Sequence, residues 1–299
     1  MRDKCCCPTF IVAAYGPYLA VLGAVITDRY IVQRLTGLEW IGMSHTFEDK
    51  NLYRVAQIFS SIHKALRELE DFYDELEKQD LKLVKGEPHL RFFPYHTTFT
   101  DYELKAIEEF EYLRPLASSI GSPFLVKLKS SGGVAVVKFI HRYGAEAHQL
   151  LAEAGMAPRL IYYGSTDGQD DVRNAPKDGA EDTFGLHLGP FRMVAMEYIE
   201  GTNVHTFEAD DRPKDIHTQV KEMVDKLHES DYVFGDLRPP NVMYLNGKAF
   251  LIDFDWAGKC GETFYIPSVV ENITSYCEGR PFEPIKKEHD LELLNHYFL

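Results

Sequence analysis

The segment Phe234-Gly235-Asp236-Leu237-Arg238-Pro239-Pro240-Asn241, followed by Asp253-Phe254-Asp255, constrains this chain more than any other stretch. Asn241 lies five residues after Asp236, and Asp253 lies twelve after Asn241. Between them, Val242–Leu245 and residues 249–252 read as short strands around Asn246-Gly247, a dipeptide that two-residue hairpin turns prefer. Upstream, Ile216, Val220, Met223, Val224 and Leu227 mark the apolar face of a helix with Asp215 near its start. An acid that can orient a hydroxyl, an amide five residues on, and a carboxylate beyond a hairpin form the residue set of phosphoryl transfer. The metal of that chemistry takes hard oxygen ligands, which Asn and Asp supply. The attacking hydroxyl needs an acceptor aimed at its proton. Each piece is commonplace alone, and the order and spacing make the set specific.

A lysine fits the same chemistry upstream. Residues 124–129 and 134–140 read as strands joined by Ser130-Ser131-Gly132-Gly133, a hairpin signal. Alternation puts Val134, Val136 and Lys138 on one face, where the lysine can reach nucleotide phosphates. The next helix, 145–154, offers two acids for an ion pair with Lys138: Glu146, which is preferred, and Glu153 on the same helical face. Residues 160–163 and 193–199 read as further strands, with the polar, acidic stretch 164–190 between them as an exposed insert.

From about residue 115 to 299 these motifs resemble the protein-kinase-like superfamily, which includes eukaryotic protein kinases and aminoglycoside or choline phosphotransferases. The whole chain is similar to kinase-like proteins of mushroom-forming fungi. The resemblance implies an α+β, bilobal fold with ATP and Mg²⁺ between the lobes: a β-rich N-lobe over about 87–200 and a reduced, mainly helical C-lobe over about 201–299. It implies Asp236 as catalytic base, with Lys138 and Arg238 as the cations near the transferred phosphate. Asn241 and Asp253 become the metal ligands, and Lys138 and Glu146 the phosphate-binding pair. Met196-Glu197-Tyr198-Ile199 resembles the hinge that hydrogen-bonds adenine. Gly121, in Ser118-Ser119-Ile120-Gly121-Ser122, is what remains of a glycine-rich loop. Gly261-Glu262-Thr263-Phe264-Tyr265-Ile266-Pro267 resembles the end of an activation segment, and His289-Asp290 includes an aspartate that would brace the catalytic loop.

Two departures matter. Phe234 stands where the family has histidine, and Asp255 where it has glycine. The expected activity is transfer of the terminal phosphoryl group of Mg-ATP to a hydroxyl on a protein Ser or Thr. The same residues suit a small-molecule acceptor of the aminoglycoside or choline type. The two departures suit a pseudokinase that acts as an interaction module.

Residues 1–86 fall outside the resemblance. The stretch 8–27 carries no charge and reads either as two strands turning at Gly16-Pro17, the preferred reading, or as a membrane anchor. From Asp49, Leu52, Val55, Phe59, Ile62, Leu66, Leu69, Tyr73 and Leu76 recur at steps of three and four, the stripe of a long amphipathic helix. That stripe packs on its own domain or serves as a seam for self-association. The net charge of −14 disfavours nucleic acid and anionic membrane as partners. Five cysteines without metal-type spacing fit a reducing, intracellular setting, cytoplasmic or nuclear.

Overall fold

Gly16 sits at φ +55°, the left-handed conformation that glycine adopts without steric cost, and turns the uncharged N-terminal run back on itself. In this computed structural model β1 (Thr9–Tyr15) and β2 (Tyr18–Ile26) pair antiparallel, from Thr9 against Ala24 to Tyr15 against Tyr18. The run is a hairpin, as preferred from the sequence. Among the described residues no helix is long and apolar enough to cross a membrane. The structure describes residues 5–26, 30–42, 49–79, 93–94, 96–116, 123–166, 192–208, 211–265, 277–280 and 282–299. The expected domain boundary after residue 86, the loop containing Gly121, and most of the insert at 164–190 lie outside them.

The chain divides into two units, Met1–Tyr95 and His96–Leu299. In the first, β3 (Tyr30–Arg34) and β4 (Glu39–Trp40) both pair with β2, and α1 (Asp49–Lys78) follows. Arg54 of α1 donates two hydrogen bonds of 2.8 Å to Glu39, and the Tyr73 hydroxyl donates to the Pro8 carbonyl at 2.7 Å. The helix covers only part of the expected stripe. Val55, Ile62, Leu69, Tyr73 and Leu76 are shielded, joined by Ile58, Ala65 and Phe72, whereas Leu52, Phe59 and Leu66 remain 52%, 49% and 43% exposed. Two apolar lines share the positions 55, 62, 69 and 76, and the sheet selects the line through Ile58 and Phe72. Between helix and sheet lies a mostly apolar cavity of about 460 Å³, lined by Phe10, Val25, Ile31, Leu69 and Phe72 among others.

The second unit opens with β5 (Thr98–Thr100), β6 (Ile107–Pro115), β7 (Phe124–Leu128) and β8 (Val134–Ile140). Then come α2 (Ala145–Glu153), β9 (Leu160–Ser165) and β10 (Arg192–Glu197), and the sheet order is β5-β6-β7-β8-β10-β9. The charge-rich run 101–113 suggests a helix, yet its second half is β6. Its burial alternates, with Glu108 and Phe110 inside and Ile107, Glu109 and Glu111 outside. The preceding turn is closed by Asp101, whose Oδ1 accepts from the backbone N–H groups of Glu103 and Leu104.

Each face of the sheet has its own core. Ala135 and Val137 of β8 and Met193 and Ala195 of β10 pack with Phe99, Phe110 and Tyr162. Val136, Ile140, Val194 and Met196 point the other way, into the larger core that contains Leu151, Leu227, Phe234 and Phe254. Lys138, between Val136 and Ile140, therefore faces the larger core. That core is completed by short elements: β11 (Thr202–Asn203), α3 (Ile216–Glu229), β12 (Tyr232–Val233), β13 (Val242–Leu245), β14 (Lys248–Leu251), β15 (Gly258–Lys259) and α4 (Lys287–Phe298). β13 and β14 form the expected hairpin, with Asn246 and Gly247 both at positive φ, as a type I′ turn requires. The fold is α+β, built on antiparallel sheets.

Candidate active site

The loop between β12 and β13 carries Asp236, Arg238 and Asn241. Its entry is fixed from α4. Asp290 is fully buried, and its carboxylate accepts from the backbone N–H groups of Phe234 and Gly235, both at 2.8 Å, and from His228 Nε2 at 3.0 Å. Asp290 thus braces the loop, the role its resemblance implied. Gly235 has φ +80°, and a Cβ there would lie 2.9 Å from Ile285 Cδ1 and 3.0 Å from the Trp256 carbonyl, so the close approach requires glycine. Phe234 is buried in the core, edge-on to Phe254 at 5.3 Å, and does not present itself to solvent.

A single 3₁₀ turn, Pro239–Asn241, bends the chain back so that Asn241 faces Asp236. The Asn241 Nδ2 donates to both the backbone oxygen and Oδ2 of Asp236, each at 2.8 Å, which leaves its Oδ1 outside these bonds. Arg238 Nε lies 2.9 Å from Asp236 Oδ1, an ion pair without hydrogen-bond alignment. Burial pushes the Asp236 carboxyl up to about 6, against Arg238 and Asn241, which favour the ionised form.

Beyond the hairpin, Asp253 adopts φ +68°, a conformation that costs a non-glycine residue about 1 kcal/mol or more. Such strain is characteristic of residues held for a purpose. Lys138 Nζ donates to Asp253 Oδ1 at 2.6 Å and lies 2.6 Å from Asp255 Oδ1. Burial opposes the Lys138 charge, and the two aspartates overcome it, so the ammonium is held above its ordinary range. Burial likewise opposes ionisation of Asp253, but the Lys138 charge outweighs it and lowers the carboxyl. Asp255 goes the other way, pushed up to about 7 by burial and then by Asp253. One ammonium between two adjacent carboxylates does not hold both equally well.

The expected ion pair between Lys138 and helix α2 is absent. Glu146 instead accepts from the Tyr232 hydroxyl at 2.7 Å, and Glu153 from Gln149 Nε2 at 3.0 Å. The side chain that α2 turns inward is His148, fully buried on the same face as Ala145 and Leu151. Its Nε2 is 2.8 Å from the Pro158 carbonyl, which can only accept, so Nδ1 accepts from the Tyr143 hydroxyl at 2.7 Å. The ring stacks on Phe254 at 4.5 Å and 11°, and burial pushes its pKa down to about 4, keeping it neutral. The face of Tyr143 lies under Lys138, 5.8 Å from Nζ to the ring centroid. Neither Tyr143 nor His148 was singled out from the sequence. The spacing Ala145, His148, Leu151 does carry the signal, because it defines a buried helix face from which Glu146 is excluded.

Lys138, Asp253 and Asp255 form one bonded set and Asp236, Arg238 and Asn241 another, and the two influence each other electrostatically. At the other end of β10, Met196 is buried and Glu197 N donates to the Arg159 carbonyl at 2.9 Å, while Tyr198 and Ile199 run on beyond the strand. The segment Thr263–Tyr265 is held against residues 282–285 by backbone hydrogen bonds, and Ile266 and Pro267 lie outside the described residues.

Asn241 and Asp253 supply oxygen donors of the hard type that a divalent cation takes. No cluster of three His, Cys, Asp or Glu side chains arranged for a metal occurs among the described residues. Mg²⁺ carried by a nucleotide needs only one or two carboxylates, since phosphates and water complete its shell. Asp236 Oδ1, Arg238 Nε and Asp255 Oδ1 are buried atoms held by ion pairs rather than by aligned hydrogen bonds.

No protein-family model matches the chain, and no curated protein sequence does. Among solved structures, the chain is similar to the kinase PK-1 of Cydia pomonella granulovirus, at 16% identity and a TM-score of 0.43 over 62% of this chain and 67% of that one. The functional reading rests on the residues of the site itself.

Proposed function

We propose that His96–Leu299 is a bilobal, protein-kinase-like phosphotransferase that moves the terminal phosphoryl group of Mg-ATP to a hydroxyl. The observation that carries the reading is the joining of two motifs 115 residues apart: Lys138 Nζ lies 2.6 Å from Asp253, whose charge acts on the hydrogen-bonded Asp236–Asn241 pair. Asn241 Oδ1 and Asp253 would hold the metal, whose chemistry is to neutralise charge on the phosphates during transfer. Lys138 orients the phosphates, and backbone groups of Glu197, Tyr198 and Ile199, next to Met196, offer the adenine its hydrogen bonds. Asp236, ionised for the most part at neutral pH, accepts the proton that the acceptor hydroxyl loses as its oxygen bonds to phosphorus. Arg238 steadies Asp236 and lies where a cation can meet the transferred group.

A protein Ser or Thr is the acceptor we favour, on the position of Arg238 two residues after the base. A small-molecule hydroxyl would use the same groups. The pseudokinase reading draws on Phe234 and Asp255; Phe234 is buried in the core and Asp255 pairs with Lys138.

The test is the melting temperature with and without Mg-ATP, alongside Asp253→Asn. A ligand that binds only the folded state adds roughly 2.7 kcal/mol at a hundredfold excess over Kd. A Mg²⁺-dependent rise that the variant loses is expected. No rise at millimolar Mg-ATP would leave the interaction module as the better account.

A further inference from the structure

A buried ammonium needs polar partners that hold it in place, and the helix after the Lys138 strand was expected to provide one. Here that helix provides none. Glu146 is committed to Tyr232 and Glu153 lies at the surface. The inward position of α2 is taken by His148, neutral and satisfied on both ring nitrogens. An ammonium has three donors, and around Lys138 they meet Asp253, Asp255 and the face of Tyr143.

Asp255 is well placed to remain there. It follows Phe254, which is clamped on several sides: stacked on His148, edge-on to Phe234, and bonded through its carbonyl to Gly144 N at 2.8 Å. Gly144 itself leaves no room for movement, since a Cβ would fall 2.5 Å from the Ala257 carbonyl oxygen. The stack that replaces a helix carboxylate thus fixes the loop on which another carboxylate sits. Asp255 Oδ1 lies 2.6 Å from Lys138 Nζ, and its other polar neighbour is Asp253, which shares the same ammonium.

We propose that Asp255 is the positioning residue for Lys138, in place of a carboxylate from helix α2. The carboxylate facing Lys138 thus comes from the loop after β14 and not from α2, whose inward position His148 occupies. The consequence for turnover rests on the phosphotransferase reading, but the placement of Lys138 does not.

The experiment therefore uses no nucleotide. Trace labelling of the full chain with acetic anhydride, read by peptide mass spectrometry, reports the nucleophilicity of each lysine, with exposed Lys129 and Lys221 as internal references. Asp255→Asn should label Lys138 faster than wild type, because an ammonium held by one carboxylate instead of two is less firmly placed and more open to the reagent. Asp255→Glu should restore slow labelling, which a merely loosened fold would not do. Glu146→Gln should label Lys138 at the wild-type rate. Faster labelling in Glu146→Gln, or an unchanged rate in Asp255→Asn, overturns the proposal. Because a wild type that ignores Mg-ATP leaves these rates untouched, failure of the phosphotransferase reading stays distinguishable from failure of this one.

Discussion

The two units differ in what they bury. His96–Leu299 buries ionisable side chains: Lys138, His148, Arg192, Asp236 and Asp290 are all nearly inaccessible. Met1–Tyr95 buries Glu39 alone among its described charged side chains and leaves Tyr15, Tyr30 and Tyr53 at 89%, 74% and 70% exposure, as the second unit leaves Ile107 and Leu104 at 71% and 70%. Burying a polar group costs free energy unless it is hydrogen-bonded or paired, so a domain that does it repeatedly has assembled a network. Exposing apolar surface is ordinary, and isolated instances need no special account. Buried polarity therefore marks where the second unit has assembled a network, whereas apolar exposure marks surface that the fold does not itself use.

The comparison breaks first, and with the largest effect, at Asp290. Its side chain serves two backbone donors and His228 with no alternative partner in view. Asp290→Ala leaves buried N–H groups at Phe234 and Gly235 unpaired, at about 1–3 kcal/mol each. A total loss of roughly 3–5 kcal/mol is expected in urea unfolding of the second unit. A loss under about 1 kcal/mol would show that the loop is held by packing, and that buried polarity here is incidental.

The next effect sharpens the comparison through pH. His148 has a folded pKa of about 4, against an ordinary 6.5. As pH falls below 6.5 the unfolded chain takes up a proton that the folded chain refuses until about 4. Stability from this group is thus complete above about 6.5 and is lost toward 4, by at most roughly 3 kcal/mol. Asp236 acts with the opposite sign, because its raised pKa lets the folded state bind a proton first as pH falls. The difference between wild type and His148→Gln isolates the histidine, since glutamine can accept from Tyr143 and donate to Pro158 without titrating. That difference should change across this window. A flat difference would mean that His148 is not held neutral.

How much of this was legible beforehand follows the same division. The juxtaposition of Asp236, Asn241 and Asp253 could be read because it is local: they sit at fixed spacings around a hairpin with an Asn-Gly turn. The Asp290 brace was legible only through the resemblance, as a contact between residues 55 apart. The partner of Lys138 was misassigned because two helix glutamates near a strand lysine look alike in sequence, and only tertiary packing shows that His148 faces inward. The helix expected at 101–113 failed for a related reason. Its glutamates favour a helix, but the pairing of β6 with β5 and β7 overrides propensity.

The smallest effect lies in α1, where the stripe read from the sequence is only half used. Leu76 and Phe59 belong to that one stripe, yet Leu76 is 7% exposed and Phe59 49%. Leu76→Ala removes buried methyl groups from the contact between helix and sheet and should cost about 2–3 kcal/mol. Phe59→Ala removes a larger side chain and should cost less than about 0.5 kcal/mol, because its surface is in water already. Chemical denaturation of the full chain, followed by a probe in the first unit, measures both. The order of the two costs is what matters, since side-chain size alone predicts the reverse. If Phe59→Ala costs as much as Leu76→Ala, and the cost grows with protein concentration, the exposed line is covered by another copy of the chain. The apolar surface of the first unit would then be in use, just as the buried charges of the second are.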